Sequence, residues 1–397
     1  MKNLDSTKKL VNLHMKQLCE KIGARPTGSD TNQAATGYAA EVFRQLGFRV
    51  AIQEFPCMDW NNEGAWLTVG GMEVDAVAAD YSMPCDVTGE LVGVSTIEEL
   101  RHAELRGKIC LMYGAPCKET LMPKSMVFWN PDEHKEIIRE LELKMPLAVI
   151  TVSYLPDVPV SIIQDGDFDI PCAVVKGELL DVLLKNQENG EATLKLRTER
   201  RPTSGANVIA CYGTGKKVSF SAHIDTKPNT PGALDDGSGV AVLLALAAKV
   251  ADGHYPYQLE FALFNGEDYY SNPGEMLYMQ TYLQNPGDYV CAFNVDGVGM
   301  MDSTISYSFY ECPDEFENRI RTFAAAGDGE NGDFEEIEPW PMGDHMIYAG
   351  AGIPAVAIAS TKIFTLMETV MHTPADNLKI VDCERLEQTV EFLFGCI

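Results

Sequence analysis

Long apolar runs are missing from this 397-residue sequence. The longest, Val240–Ala248, falls well short of the roughly 20 residues that span a bilayer. The opening MKNLDSTKKLVNLHMKQL holds no apolar core of about 7–15 residues and no small-residue cleavage site, so no secretory signal is expected. Basic residues are scarce. Lys and Arg number 31 against 58 Asp and Glu, a net charge of −27, which argues against nucleic acid and anionic membrane as partners. The eleven cysteines, scattered from Cys19 to Cys396, show no CxxC spacing. That fits reduced, mostly buried thiols rather than a disulfide framework, and cytoplasm is the expected location. Repeats and low-complexity segments are absent too. What remains is an ordinary globular composition, 46% hydrophobic and 22% charged, with length for two to three domains.

Residues 5–46 read as helix, broken at Gly23–Pro26 and restarting at about Asp30. Val11, Met15, Leu18 and Ile22 recur at helical spacing, and Asp30-x-x-Gln33 resembles a cap. Phe48–Phe55 alternates like a strand. From about Trp60 to Thr203 short apolar runs bounded by turn residues predict buried strands at Gly107–Tyr113, Leu147–Val152 and Pro171–Val175, with a helix at His134–Leu143. From Asn207 strand and helix alternate: Asn207–Cys211, Val218–His223, helix Gly239–Val250, Leu259–Asn265 and Ala292–Asp296. Such alternation implies an α/β fold with a mostly parallel sheet covered on both faces. The division expected is a catalytic domain built from residues 1–59 and 203–397, interrupted by a β-rich insert at 60–202.

Five clusters carry the chemistry. His223 and Asp225 follow an apolar strand at i and i+2, so they share a face. At the C-terminal edge of a parallel sheet that face binds ligands, and a carboxylate beside His suits a metal ligand of fixed tautomer. Asp235 and Asp236 sit in Gly232–Gly239 before a helix. Either could cap that helix, and either could bind a metal. Ser238 lacks a G-x-S-x-G elbow and is not read as a nucleophile. Glu267 and Asp268 close a third strand, Asp296 a fourth, and His372 precedes a turn and the C-terminal helix. Each cluster alone has a plainer reading, in turn a strand end with a satisfied His, a helix cap, a solvated turn, a turn Asp and a surface His; together they supply too many ligands for one tetrahedral zinc and fit two cations sharing a carboxylate. Two divalent ions, +4, balance Asp235, Asp268 and Asp296 with one hydroxide. Glu267 is then free to act as general base.

The ordered series HID at 223–225, GALDDGSG at 232–239, GED at 266–268, NVDG at 294–297 and MHTPAD at 371–376 resembles the M28 family of zinc exopeptidases. So do RPTGS at 25–29, Gly343-Asp344-His345 and GIPA at 352–355. The resemblance implies a three-layer α/β/α phosphorylase/hydrolase-like catalytic domain. The segment 60–202 resembles a protease-associated (PA) domain through LRGKICL at 105–111 and IPCAVV at 170–175. Position by position, the resemblance implies one zinc held by His223 and Asp296, another by Asp268 and His372, and Asp235 bridging. Glu267 is the implied base and Asp225 the orienting partner of His223, while Asp344 and His345 line the substrate pocket. The implied cofactor is a pair of Zn2+ ions, with Co2+ or Mn2+ as substitutes. The implied activity is aminopeptidase cleavage of peptides by a metal-bound hydroxide; self-association into homo-oligomers is compatible with it.

The sequence departs from that family at two places. Asp268 stands where the second acid is usually Glu, one methylene longer. Met371 stands where a Tyr often precedes the last His, and Met donates no hydrogen bond. Alternatives to the aminopeptidase are a carboxypeptidase, dipeptide or N-acyl hydrolase on the same metals, a glutaminyl-cyclase-like acyltransferase, and a non-catalytic binding protein. His14, His102, His134 and His254 lie in polar contexts and are expected at the surface.

Overall fold

The computed structural model describes residues 6–126, 129–187, 190–327 and 333–397; Asp5, where the first helix was expected to begin, lies outside them. Two compact units result, one made of Met1–Cys57 with Ser204–Ile397 and the other of Met58–Thr203.

In the first unit four parallel strands form the centre. They are β1 (Lys217–His223), β2 (Gln258–Phe264), β3 (Tyr289–Val295) and β4 (Ala355–Ser360), in spatial order β2-β1-β3-β4. Residues 208–212 pair antiparallel with β2, and Ile305–Tyr310 pairs antiparallel with β4. The parallel strands are buried almost end to end, as strands covered on both faces are. Phe261 and Leu263 join one core cluster while Ala262 and Phe264 join another, so alternate side chains of β2 feed opposite layers. On one face lie the helices Thr7–Met15, Ser238–Val250, Asp314–Gly327 and Cys383–Cys396, packed on one another. On the other lie Pro273–Tyr282 and His345–Gly350. This is the three-layer α/β/α arrangement.

Register aligns the strand ends. Phe220 of β1 faces Phe261 of β2 and Phe293 of β3 across the ladder, and the rings stack at 5.2 and 5.4 Å. Three residues further on, β1 and β2 end together at His223 and Phe264, and β3 ends at Val295 beside them. The loops that follow carry Asp225, Glu267, Asp268 and Asp296.

Helix boundaries moved slightly from those expected. The helix Asp30–Gln45 is capped by Ser29, whose hydroxyl accepts from the Asn32 amide at 3.1 Å, and not by Asp30. Between Thr7–Met15 and Gly23 the chain widens into a π-helical segment, Lys16–Ile22. His14 and His134 are buried, contrary to the surface position expected of them. His14 lies one turn from Val11 and Leu18 and bonds Tyr38 Oη through Nδ1 at 2.6 Å. His134 accepts from the Met122 amide at 3.1 Å.

The second unit holds a sheet running residues 191–196, Cys85–Val94, Ile109–Met112, Ala148–Val152, Cys172–Val175 and Val77–Ala78. Its three inner pairings are parallel, and the strands at 109–112, 148–152 and 172–175 are wholly buried. The helix Asp132–Lys144 covers one side through Ile137, Ile138 and Leu141.

Candidate metal centre

His223, at the tip of β1, is fully buried. Its Nδ1 lies 3.1 Å from the carbonyl oxygen of Asp225; since a carbonyl only accepts, Nδ1 carries the proton and Nε2 keeps its lone pair. Asp225 therefore orients the ring through its main chain, while its carboxylate, 3.6 Å away, accepts from Thr27 Oγ1 at 2.7 Å. Nε2 lies 2.9 Å from Asp235 Oδ1 and 3.9 Å from Asp296 Oδ1. Neither Nε2 nor Asp296 Oδ1 has a hydrogen-bond partner among the described residues, although both atoms are buried.

The adjacent aspartates divide the two roles that the sequence left open. The Asp235–Asp236 peptide is cis. Asp236 turns back as a cap, accepting from the Gly239 amide at 2.8 Å and the His223 amide at 3.3 Å. Asp235 faces the centre, with Oδ1 on His223 and Oδ2 at 3.0 Å from His372 Nε2. The turn admits no larger residue at 239, because a Cβ there would lie 2.1 Å from the Val295 carbonyl oxygen.

His372 adopts φ 63°, a left-handed conformation in which His is among the enriched non-glycine residues. Its Nε2 lies 3.1 Å from Asp268 Oδ1. Met371 turns away into the apolar core. Glu267 Oε2 stands 4.0 Å from His223 Nε2. The Glu267 and Asp296 side chains keep about a quarter of their surface exposed and His372 about a third, whereas Asp235 and Asp268 are closed off. The centre thus opens to solvent on the Glu267–Asp296–His372 side.

Burial, together with Asp268 and Asp235, pushes Glu267 up to about 7 against the pull of His223. Burial likewise raises Asp296 well above the carboxylate range, with Asp235, Glu267 and Asp268 adding to it. Burial opposes charge on His372, but Asp268 and Asp235 overcome it and hold the imidazole at about 10. Unrelieved acids crowded beside imidazoles are what a divalent cation neutralises. The His223–Asp235–Asp268 and His223–Asp236–Asp296 donor sets are compact enough to surround one. With an imidazole lone pair and a carboxylate oxygen both unpartnered, the residues fit a metal of the N/O-binding class.

Asp344 and His345 part company. His345 Nε2 bonds the Trp340 carbonyl at 3.0 Å and its ring packs on Tyr310 at 4.4 Å. Asp344 is buried with both carboxylate oxygens lacking partners among the described residues. Burial raises it well above its usual range, as do Glu275 and Glu267.

Three supporting residues were not foreseen in these roles. Asp376 accepts main-chain N–H groups of Ala233, Leu234 and Asp235 at 3.0, 2.7 and 3.1 Å. Fully buried Arg25 donates to the carbonyls of Ile224, Pro231 and Gly232 at 2.5, 2.7 and 2.9 Å. Lys227 donates from Nζ to the Asp268 carbonyl at 2.7 Å. Arg25 and Asp376 stood within quoted motifs, but Lys227, two residues past Asp225, had only its position as a signal.

A probable lipoprotein aminopeptidase, LpqL, of Mycobacterium tuberculosis is 26% identical over 261 residues, 62% of this chain. The chain spans about half of that relative's length, 49%. Aminopeptidase YwaD of Bacillus subtilis is 24% identical over 96% of this chain and 82% of its own. The solved structure of BSAP, a zinc aminopeptidase from Bacillus subtilis, superposes with TM-score 0.80 at 22% identity, covering 100% of this chain and 95% of that one. Residues 207–396, which carry every candidate ligand, match the sequence model of peptidase family M28, and this chain contains a domain of that family.

Proposed function

We propose that this chain is a zinc aminopeptidase whose centre takes two cations, one on His223 and Asp296 and one on Asp268 and His372, with Asp235 between them. The observation that carries the reading is the pair of buried, unpartnered atoms, His223 Nε2 and Asp296 Oδ1, facing one another at 3.9 Å beside Asp235. Divalent zinc bound there would supply Lewis acidity toward a peptide carbonyl and toward water.

The chain's own residues do the rest. Glu267, on the open side and ligated by nothing in this scheme, takes a proton from the attacking water as the new C–O bond forms. It returns that proton to the leaving amine as the C–N bond breaks. Asp376 keeps the turn at 233–235 fixed, by accepting from the turn's main-chain N–H groups, while charge develops. An α-ammonium placed beside Asp344 and Glu275, whose buried oxygens lack partners among the described residues, would supply the counter-charge that burial denies them, and a C-terminal carboxylate would not. That favours an aminopeptidase over a carboxypeptidase. Residues 58–203 are, in this proposal, the protease-associated insert.

The test is zinc content per chain together with turnover of aminoacyl peptides, their N-blocked forms and an N-terminal glutaminyl peptide. About two zinc per chain and cleavage that requires a free α-amine are expected. Equal cleavage of blocked peptides overturns the aminopeptidase assignment, and cyclisation of the glutaminyl peptide without peptide hydrolysis moves it to acyl transfer.

A further inference from the structure

Lys227 is 8% exposed and, among the described residues, pairs with one candidate ligand, Asp268. Its main-chain N–H donates to Asp268 Oδ2 at 3.1 Å, and its ammonium donates to the Asp268 carbonyl at 2.7 Å. The same ammonium lies 3.5 Å from Asp268 Oδ1. Both carboxylate oxygens of Asp268 are therefore engaged from the Lys227 side. Oδ1, the oxygen turned to His372, shares its charge with a resident cation. The short aspartate stem keeps the carboxylate within reach of the Lys227 main chain. The candidate ligands of the other half, His223 and Asp296, keep unpartnered atoms instead.

We propose that Lys227 is a built-in counter-charge that makes the two halves of the centre unequal, so that the cation on the Asp268–His372 side is held much more weakly than the one on the His223–Asp296 side. The inference rests on the two-cation reading above and adds an affinity order to it. The charge count agrees. Asp235, Asp268 and Asp296 bring −3 against +4 from two dications, and Lys227 adds one more positive charge to a buried site. A positive charge near 3.5 Å from a ligand oxygen acts through little solvent, so its effect on a dication is large.

The test is calorimetric titration of Zn2+ into metal-depleted wild type, K227M, K227Q and K227R, each confirmed folded by its thermal melt before titration. Wild type and K227R are expected to show two zinc sites of unequal affinity. In K227M and K227Q the weaker site should tighten by at least about tenfold, with the tighter site unchanged within about twofold. A wild type taking one zinc, with a second appearing in K227M, supports the proposal in its extreme form. Two sites in wild type with constants that K227M and K227Q leave unaltered, or a weaker site lost in both, overturn the inference and leave the two-cation reading intact. No zinc bound to any form overturns both.

Discussion

Asp376 holds Asp235 by its main chain. Its carboxylate accepts the N–H of Asp235 at 3.1 Å and those of the two preceding residues, across 141 residues of sequence. The Asp235 side chain is thus aimed by a group that touches neither histidine. D376N keeps the shape but loses the charge and one acceptor, and should lower zinc affinity about 10–100-fold, the usual cost of removing a group that orients a metal ligand. D376A leaves three buried donors without an acceptor and should cost about 2 kcal/mol or more of stability. Zinc titration and urea unfolding separate the two effects. Unchanged zinc affinity in a folded D376N would show that the turn holds itself.

Glu267 is the one acid on the open side that the scheme leaves free of metal. E267Q keeps the volume and removes the base. Turnover should fall about 10²–10⁴-fold, with zinc content unchanged. E267D should recover part of the rate, because the carboxylate remains but stands back from the water. Full activity in zinc-loaded E267Q would exclude Glu267 as the base.

The parts of this site legible in the sequence are those with local causes. The apolar runs Val218–Ser221 and Leu259–Phe264 are strands because they are buried on both faces, and the acids after them mark the strand ends. Which of Asp235 and Asp236 faces the histidines was legible only through the family resemblance, since the backbone of the turn decides it. Lys227, Asp376 and Arg25 act through contacts 41 to 207 residues away in sequence, and nothing beside them announces the partner. The burial of His14 and His134 had a signal that their polar neighbours masked. Val11, His14 and Leu18, like His134, Ile137, Ile138 and Leu141, fall on one helical stripe.

Arg25 offers a second stability test, independent of the acids. Its guanidinium spreads over four carbonyls, at 23, 224, 231 and 232, the last three of which lie on both sides of the loop joining β1 to the Asp235 turn. A lysine ammonium cannot present donors in that planar fork. R25K should lose about 2–3 kcal/mol through carbonyls left unpaired, read as a lower urea midpoint with unchanged slope. A midpoint within error of wild type would mean that water replaces the guanidinium at no cost.

His14 ties stability to pH at a distance from the centre. Burial lowers its imidazole from 6.5 to about 4, so between those values the unfolded chain binds more protons than the folded one. The sign follows: the contribution is fully present above about pH 6.5 and is lost as pH falls toward 4, at up to about 1.4 kcal/mol per unit. Between pH 7 and pH 5 the loss from this group is about 2 kcal/mol. H14Q keeps a hydrogen-bonding partner for Tyr38 but cannot titrate, so whatever it costs at pH 7, that cost should shrink by about 2 kcal/mol at pH 5. Urea unfolding of both proteins at the two pH values reads the difference directly, with zinc withheld from both so that its own pH-dependent binding stays out of the comparison. A cost for H14Q that does not change with pH would place the imidazole in contact with water and refute its buried, neutral state.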